Sequence, residues 1–573
     1  MSSQSESLTV QQQGIYTTHT LVPIVTASSI ATNDSRRPLR KRSTHTLTRA
    51  EEGQGQSYPE PIARRRTTVA SQQSLQGGVR TQSGWEAIKN ALARVNWNNP
   101  FTPAKKLAPS PNISTSIRNI IFYSWFNLLL SFIPVSFTLH FAVPEQHAAI
   151  FSTSFIGIIP LAHLLSFATE EVSLRVGQAM AGLINATLGN VVELIVAIIA
   201  LIHCELDIVQ SSLIGSILGN LLLVLGMCFF LGGMRFSEQG FAMGAAQLNS
   251  SLLTLSVVAV LLPMLYKFSA DSSGADEIQT QVQILRFSHG MALILLFGNL
   301  SLPFSFVSNA HYGAVYGGYL VFQLVSHKEV YADDSADILI STPWIRDRVS
   351  AGQCESPTVE LQVFPPTPTT RVPPVAPMQC ANLTSEPEET ESRTGLQAIR
   401  EQSEQIPTPE LHIAVCLGLL VIVTVLVALV AEYLVDSING LTESGKVSKA
   451  FVGIVLLPIA GNIAEHVSAV TSSVKDKLTL SLSIAVGSSI QIALFVIPLI
   501  VIVGWGADKP MSFLFDPMQA VCLLLAVLTV NYVVADGKSN WLEGMILIAL
   551  YCIIGTLFFF YSTPTQAIAL ACK

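Results

Sequence analysis

Ten stretches of this chain, near 116–136, 148–169, 178–203, 208–233, 243–266, 411–435, 450–472, 479–504, 518–534 and 541–561, are mostly apolar, and short polar pieces separate them. A helix of about 20 such residues spans the hydrocarbon core of a bilayer. In lipid the backbone must satisfy its own hydrogen bonds, so segments of this length and pattern are read as spanning helices. Only 12% of the residues are charged, against about 25% in soluble chains. Half are hydrophobic and the mean hydropathy is +0.49. An eleventh apolar stretch, between about 285 and 326, is interrupted. The fold class expected is an all-α polytopic membrane protein of about 11 transmembrane helices.

The remaining segments read differently. Residues 1–110 are rich in Ser, Thr, Gln and Arg and have no apolar core, which predicts a disordered cytosolic tail without a cleavable signal peptide. The basic clusters Arg36–Arg37–Arg40–Lys41–Arg42 and Arg64–Arg65–Arg66 lie in that tail and give no nucleic-acid signal. Between 327 and 410 fourteen acidic residues face six basic ones among Pro-rich pieces, which predicts a large, acidic, mostly disordered cytosolic loop. The expected organisation is an extra first helix at 111–145, repeats at 146–326 and 411–565, and a short tail at 566–573. The cysteines show no paired or metal-type spacing, and Cys228, Cys416, Cys522 and Cys552 sit inside apolar runs, so no disulfide framework is expected. The short loops set the orientation. Arg175, Arg235, Lys475, Lys477 and Lys538 fall on connections predicted to be cytosolic, while 137–147 and 203–208 carry no Lys or Arg; Lys267, Lys446, Lys449 and Lys509 are exceptions.

The third and eighth runs hold a repeat. Ala186-Thr-Leu-Gly-Asn-Val-Val-Glu193 and Pro458-Ile-Ala-Gly-Asn-Ile-Ala-Glu465 share Gly, Asn and Glu at an offset of 272 residues (465 − 193). The same offset carries Gly215–Ser216 onto Gly487–Ser488. The matched runs are five apart, an odd number, so the two halves cross the membrane in opposite directions. That is a five-plus-five inverted-topology repeat preceded by one extra helix, an architecture of secondary transporters.

A carboxyl inside a membrane helix costs a few kcal/mol on insertion scales and is rarely there without a function. Glu193 and Glu465 each lie about fifteen residues into their run, too deep to reach the interface easily. The glycines Gly189 and Gly461 weaken the helix and free carbonyl oxygens to face a cavity. Carboxylates with neutral oxygens from Asn190, Asn462, Ser216, Ser488 and Gln491 make a hard-oxygen set suited to Ca²⁺ rather than Zn²⁺ or Cu²⁺; interhelical hydrogen bonding is the other role such residues fill. Two carboxyls close together in a poorly solvated cavity should hold protons more tightly, so two protons can replace one divalent ion. His466 either tunes the proton step or merely lines the cavity.

These segments, with Ser166-Phe-Ala-Thr-Glu-Glu-Val172, Ser216-Ile-Leu-Gly-Asn220, Gln323-Leu-Val-Ser-His327 and Ser488-Ser-Ile-Gln491, resemble the CAX family of calcium/proton exchangers, closest to the fungal vacuolar members of the cation/Ca²⁺ exchanger superfamily. The likeness covers about 115–565. It implies a Ca²⁺/H⁺ antiporter of the vacuolar membrane, often accepting Mn²⁺, with cation-binding glutamates at Glu193 and Glu465. It also implies functional carboxylates at Glu170 and Glu432, assigned to ion access. No resident cofactor is expected, since Ca²⁺ and H⁺ are the transported substrates. A Na⁺- or K⁺-coupled calcium exchanger is the rival within the superfamily, and a non-transporting scaffold the rival outside it. No nucleotide loop, catalytic triad or metal-hydrolase motif points to an enzyme.

The chain departs from the family's pattern at Asn299 to Ala314. The flanking pieces, Phe287 to Gly298 and Val315 to Ser326, are each too short to span alone and would make one spanning helix if joined. The inserted Asn299, Pro303, Asn309 and His311 are ill suited to lipid, and the borders permit splice-site codons. The sixteen residues read as a retained intron, the alternative being a genuine excursion in a broken helix.

Overall fold

The apolar runs become helices, and the breaks between them fall where the sequence interrupts its own hydrogen bonding. The structure is a computed structural model that describes residues 103, 107–296, 315–331, 338–339, 341–344, 408–443, 447–561 and 572. The body of the amino-terminal tail, residues 297–314, and the middle of the acidic segment lie outside the described residues.

Helix α1 (Ile113–Phe122) is followed by a 3-10 stretch (Trp125–Ser131) that runs on into α2 (Phe132–Ala142). The first apolar run is therefore not one helix over 116–136. It breaks at Ser124, whose hydroxyl accepts from Phe126 N, and the span is Trp125–Ala142. Next come α3 (His147–Ser173), α4 (Gln178–Leu188), α5 (Val191–Ile202), α6 (Leu206–Gly233), α7 (Met243–Ser272) and α8 (Glu277–Leu296). A shorter helix, α9 (Val315–Val321), runs into a π turn (Phe322–Ser326). The second half has α10 (Ile413–Glu443), α11 (Lys449–Gly461), α12 (Ile463–Val474), α13 (Leu478–Gly506), α14 (Pro517–Val533) and α15 (Trp541–Phe560). Among the described residues seven helices are long and apolar enough to cross a membrane, eight if the bent pair α11–α12 counts as one span.

The repeat is visible in the elements. Helices α5 and α12 are both 12 residues long and begin 272 positions apart (463 − 191). Helices α6 and α13 each widen into a π turn, at Gly219–Val224 and Ile492–Val496. The halves interlock: α3 packs along α10, and α6 crosses the π turn of α11 (Val452–Leu456). Glycine makes that second crossing possible. A Cβ on Gly215 would lie 2.4 Å from Ile454 O, and one on Gly453 would lie 1.8 Å from Ser211 Oγ. Small residues at helix crossings are how membrane bundles gain close packing when water does not drive them together.

Helix α8 begins at Glu277, ten residues before the apolar piece that starts at Phe287. It is 20 residues long, about 30 Å of helix, but its polar first half keeps it out of the helices that are long and apolar enough to cross.

Part of the acidic segment is folded. Lys328–Tyr331 forms a 3-10 turn, and β2 (Thr342–Pro343) pairs antiparallel with β1 (Phe236–Gly240), which also pairs with β3 (Lys538–Ser539). Trp344 Nε1 donates to Gly233 O at 3.0 Å. Behind the strand, buried Gln239 donates from Nε2 to Ser473 O (3.0 Å), fixing the end of α12. The segment's far end is clasped too: Glu171 accepts from Glu410 N (3.0 Å) and Leu411 N (3.2 Å) and pairs with Arg175 (2.9 Å), which also donates to Leu411 O.

The cysteine expectation needs one correction. Cys204 and Cys572 form a disulfide, 368 residues apart in sequence with Cα atoms 6.0 Å apart. Spacing could not reveal a pair that only the packing of distant turns brings together.

Candidate cation site

The two Gly-Asn steps break their helices. Asn190 (φ −106°, ψ 27°) separates α4 from α5, and Asn462 (φ −89°, ψ 10°) separates α11 from α12. The second pair bends by 62°. Each asparagine stands at the N-cap position of the next half-helix without a side-chain capping bond, and each glutamate is the third residue of that half-helix, in its first turn. The helices before and after Asn190 have 11 and 12 residues, about 16 and 18 Å, so Glu193 stands near the middle of the broken span. The unpaired N–H groups and positive dipole end of a half-helix favour a negative group there.

The glutamates reach across the repeat. A Cβ built on Gly461 would lie 2.6 Å from Glu193 Oε1, and one on Gly189 would lie 4.0 Å from Glu465 Oε1. Each carboxyl thus lies beside the other half's Gly-Asn break, and at Gly461 the absence of a Cβ is what lets Glu193 come so close. A chain of hydrogen bonds links the elements around them. Asn220 Nδ2, in the π turn of α6, donates to Glu465 Oε2 (3.3 Å) and Ser488 Oγ (3.0 Å), and Ser488 Oγ donates to Asn190 Oδ1 (2.9 Å). Both Glu193 oxygens, and the amide nitrogens of Asn190, Asn462 and Gln491, are buried and have no protein partner among the described residues. Buried polar groups are rarely left so, and a carboxylate least of all.

Two cavities flank the pair. A cavity of about 360 Å³ is lined by Glu465, Ser488 and Gln491, and extends past Gln323 and Thr169 to Glu170. A much smaller one, about 20 Å³, lies on the other side of Gly461 and holds Glu193, Ser212 and Ser216 among Ile158, Leu434 and Leu457. The space beside the pair is therefore wide on the Glu170 side and closed by apolar side chains on the other.

Most residues expected at the site lie there: Gly189, Asn190, Glu193, Ser216, Gly461, Asn462, Glu465, Ser488 and Gln491 surround the two breaks, and Glu170 lines the wide cavity. Two do not join them. His466 is buried but lines neither cavity, because the residue after Glu465 points from a different side of the half-helix. Glu432 is exposed on α10 and also lines neither; its neighbour Tyr433 stacks on His140 at 4.2 Å. The residue that sequence reasoning passed over is Asn220. It stands in the Ser216-Ile-Leu-Gly-Asn220 segment, but the position 272 residues on is Ile492, so a search by repeat symmetry discards it.

A family model described as sodium/calcium exchanger protein matches residues 146–325 and 415–560. A vacuolar calcium ion transporter of Cryptococcus neoformans var. grubii is 43% identical over 90% of this chain and 86% of its own length. A Ca²⁺/H⁺ antiporter of Synechocystis sp. is 37% identical over 76% of this chain and 98% of its own. The solved structure of native YfkE, 27% identical, covers 76% of this chain and all of its own with a TM-score of 0.52.

Proposed function

The chain belongs to the sodium/calcium exchanger protein family, and from that premise we propose that it is a secondary active transporter exchanging cytosolic Ca²⁺ for lumenal H⁺ across the vacuolar membrane. Its relatives are named for calcium transport, Ca²⁺/H⁺ antiport and vacuolar cation/proton exchange. The observation that carries the reading is the reciprocal placement of two carboxyls, Glu193 buried and Glu465 half-buried on the wide cavity, each beside the glycine of the other half's helix break.

Ca²⁺ takes about 6–8 oxygen ligands at roughly 2.3–2.6 Å. Glu193 and Glu465 supply charged oxygens, while Ser216, Ser488, Gln491 and the asparagines supply neutral ones. Two carboxylates carry two negative charges, which one Ca²⁺ or two protons neutralise. A bare pair would leave two unpaired buried charges, each costing several kcal/mol. The site therefore crosses between its open states only when loaded, and exchange follows from that competition. Glu170 draws cations into the wide cavity, which we assign to the cytosolic side; the positively charged short loops support that orientation.

The test is calcium uptake into vesicles of purified protein with an imposed pH gradient. Uptake should persist without Na⁺ or K⁺ and collapse with a protonophore. Glu193→Gln and Glu465→Gln should each abolish it in a folded protein, with Glu→Asp milder. Uptake that needs Na⁺ or K⁺ would establish the rival coupling, and unimpaired Gln variants would sink the site.

A further inference from the structure

Cys204 lies two residues beyond the end of α5, the half-helix whose first turn carries Glu193. The turn it occupies is a junction. His203 Nδ1 approaches Asp436 of α10 at 3.4 Å, Glu205 pairs with Lys449 at the start of α11 (3.2 Å), and Asn439 donates to Glu205 at 2.7 Å. Cys204 itself has a left-handed backbone (φ 61°), is half-buried, and lies 3.1 Å from Lys509 Nζ. The cysteines Cys228 and Cys416 are buried within spanning helices, Cys522 is buried in α14 and Cys552 lies on α15, all as free thiols, so among the described residues only Cys204 and Cys572 are joined.

We propose that Cys204 and Cys572 are an oxidative cross-linking site on the non-cytosolic face, which ties the chain beyond the last helix to the end of the Glu193 half-helix. Three observations converge. A bond between positions this far apart needs both sulfurs on one side of the membrane. Protein disulfides form and persist in oxidising compartments, which the cytosol is not. The α5–α6 turn is also a connection without Lys or Arg, as expected away from the cytosol. Its sidedness rests on the orientation proposed above; the linkage itself does not.

The chemistry is thiol–disulfide exchange with an oxidised dithiol protein of the secretory route. The Cys204 thiolate attacks the donor's S–S bond and displaces one donor thiol. The Cys572 thiolate then attacks the mixed disulfide at Cys204 and displaces the second. One S–S bond forms and one breaks, two electrons pass to the donor, and the two protons leaving the cysteines match the two taken up by the donor's thiols. The Lys509 ammonium stabilises negative charge on Cys204 sulfur, as attacker and as leaving group, so the site is exchange-competent rather than inert.

The experiment uses the full chain. Non-reducing digestion of purified protein followed by mass spectrometry should give a peptide linked through Cys204 and Cys572, lost on reduction. In sealed vesicles with the cytosolic face outward, a permeant reductant should free two thiols for maleimide labelling, and an impermeant phosphine should free none. Cys204→Ser, Cys572→Ser and the double variant should lower the melting temperature equally, by at least about 5 °C, with no further fall on reduction. Free thiols at both positions before reduction, or additive losses in the two single variants, would overturn the linkage. A linked peptide that the impermeant reagent opens from outside would overturn the sidedness, and with it the orientation, while leaving Ca²⁺/H⁺ exchange to its own test.

Discussion

Gly461→Ala isolates the ligand role proposed for Glu193 from its contribution to folding. A Cβ at 461 would stand 2.6 Å from Glu193 Oε1, and the nearest atoms it meets all belong to that side chain. An ordinary carbon–oxygen contact is about 3.4 Å, so the carboxyl must retreat by about 0.8 Å (3.4 − 2.6). The tip of a side chain moves cheaply, and the backbone at 461 is already helical, so the variant should fold. Its effect on a bound cation is larger. Moving one carboxylate oxygen from roughly 2.4 to 3.2 Å from a divalent ion, at an effective dielectric of about 20, costs at most about 3.5 kcal/mol. Relaxation of the ion toward Glu465 recovers part of that. The expected result is a 10- to 100-fold rise in the KM for Ca²⁺ in proteoliposome uptake, with the melting temperature within about 2 °C of the parent. A KM within twofold of the parent would refute the claim that Glu193 ligates from its position against Gly461. A melting temperature lower by more than about 5 °C would show instead that strain falls on the backbone.

Asn220→Ala should raise the KM for Ca²⁺ severalfold by releasing Glu465 Oε2 and Ser488, while Asn220→Gln should recover part of the loss; uptake kinetics on both variants decide it. Deleting the tail before about residue 105 together with 345–405, sparing the β2 strand and Trp344, should leave uptake intact, measured on correctly targeted protein; an inactive product would mean that the transporter described is incomplete. Residues 299–314 should be missing from the mature transcript, and their deletion should preserve transport. Sequencing the messages settles the first point, and retention in all of them with loss of uptake on deletion would reverse the reading.

The sequence by itself determined that the chain is helical and lies in a membrane, because hydropathy and length are one-dimensional properties that lipid reads directly. It also determined the repeat and the glutamates, since a duplicated Gly-Asn-x-x-Glu survives as a pattern along the chain. Tertiary structure decided what those residues face. The break at Asn190 turns a glutamate fifteen residues into an apolar run into one in the first turn of a half-helix, and packing aims it at Gly461 of the other half. Asn220 joins the site because the π turn of α6 rotates its amide toward Glu465, which no repeat offset records. The same packing leaves His466 and Glu432 off the two cavities. It opens the Glu170 side and closes the Glu193 side, although the two motifs are nearly the same in sequence. It also brings Cys204 to Cys572. Each of these depends on distances between residues far apart in the chain, and such distances exist only once the helices have packed.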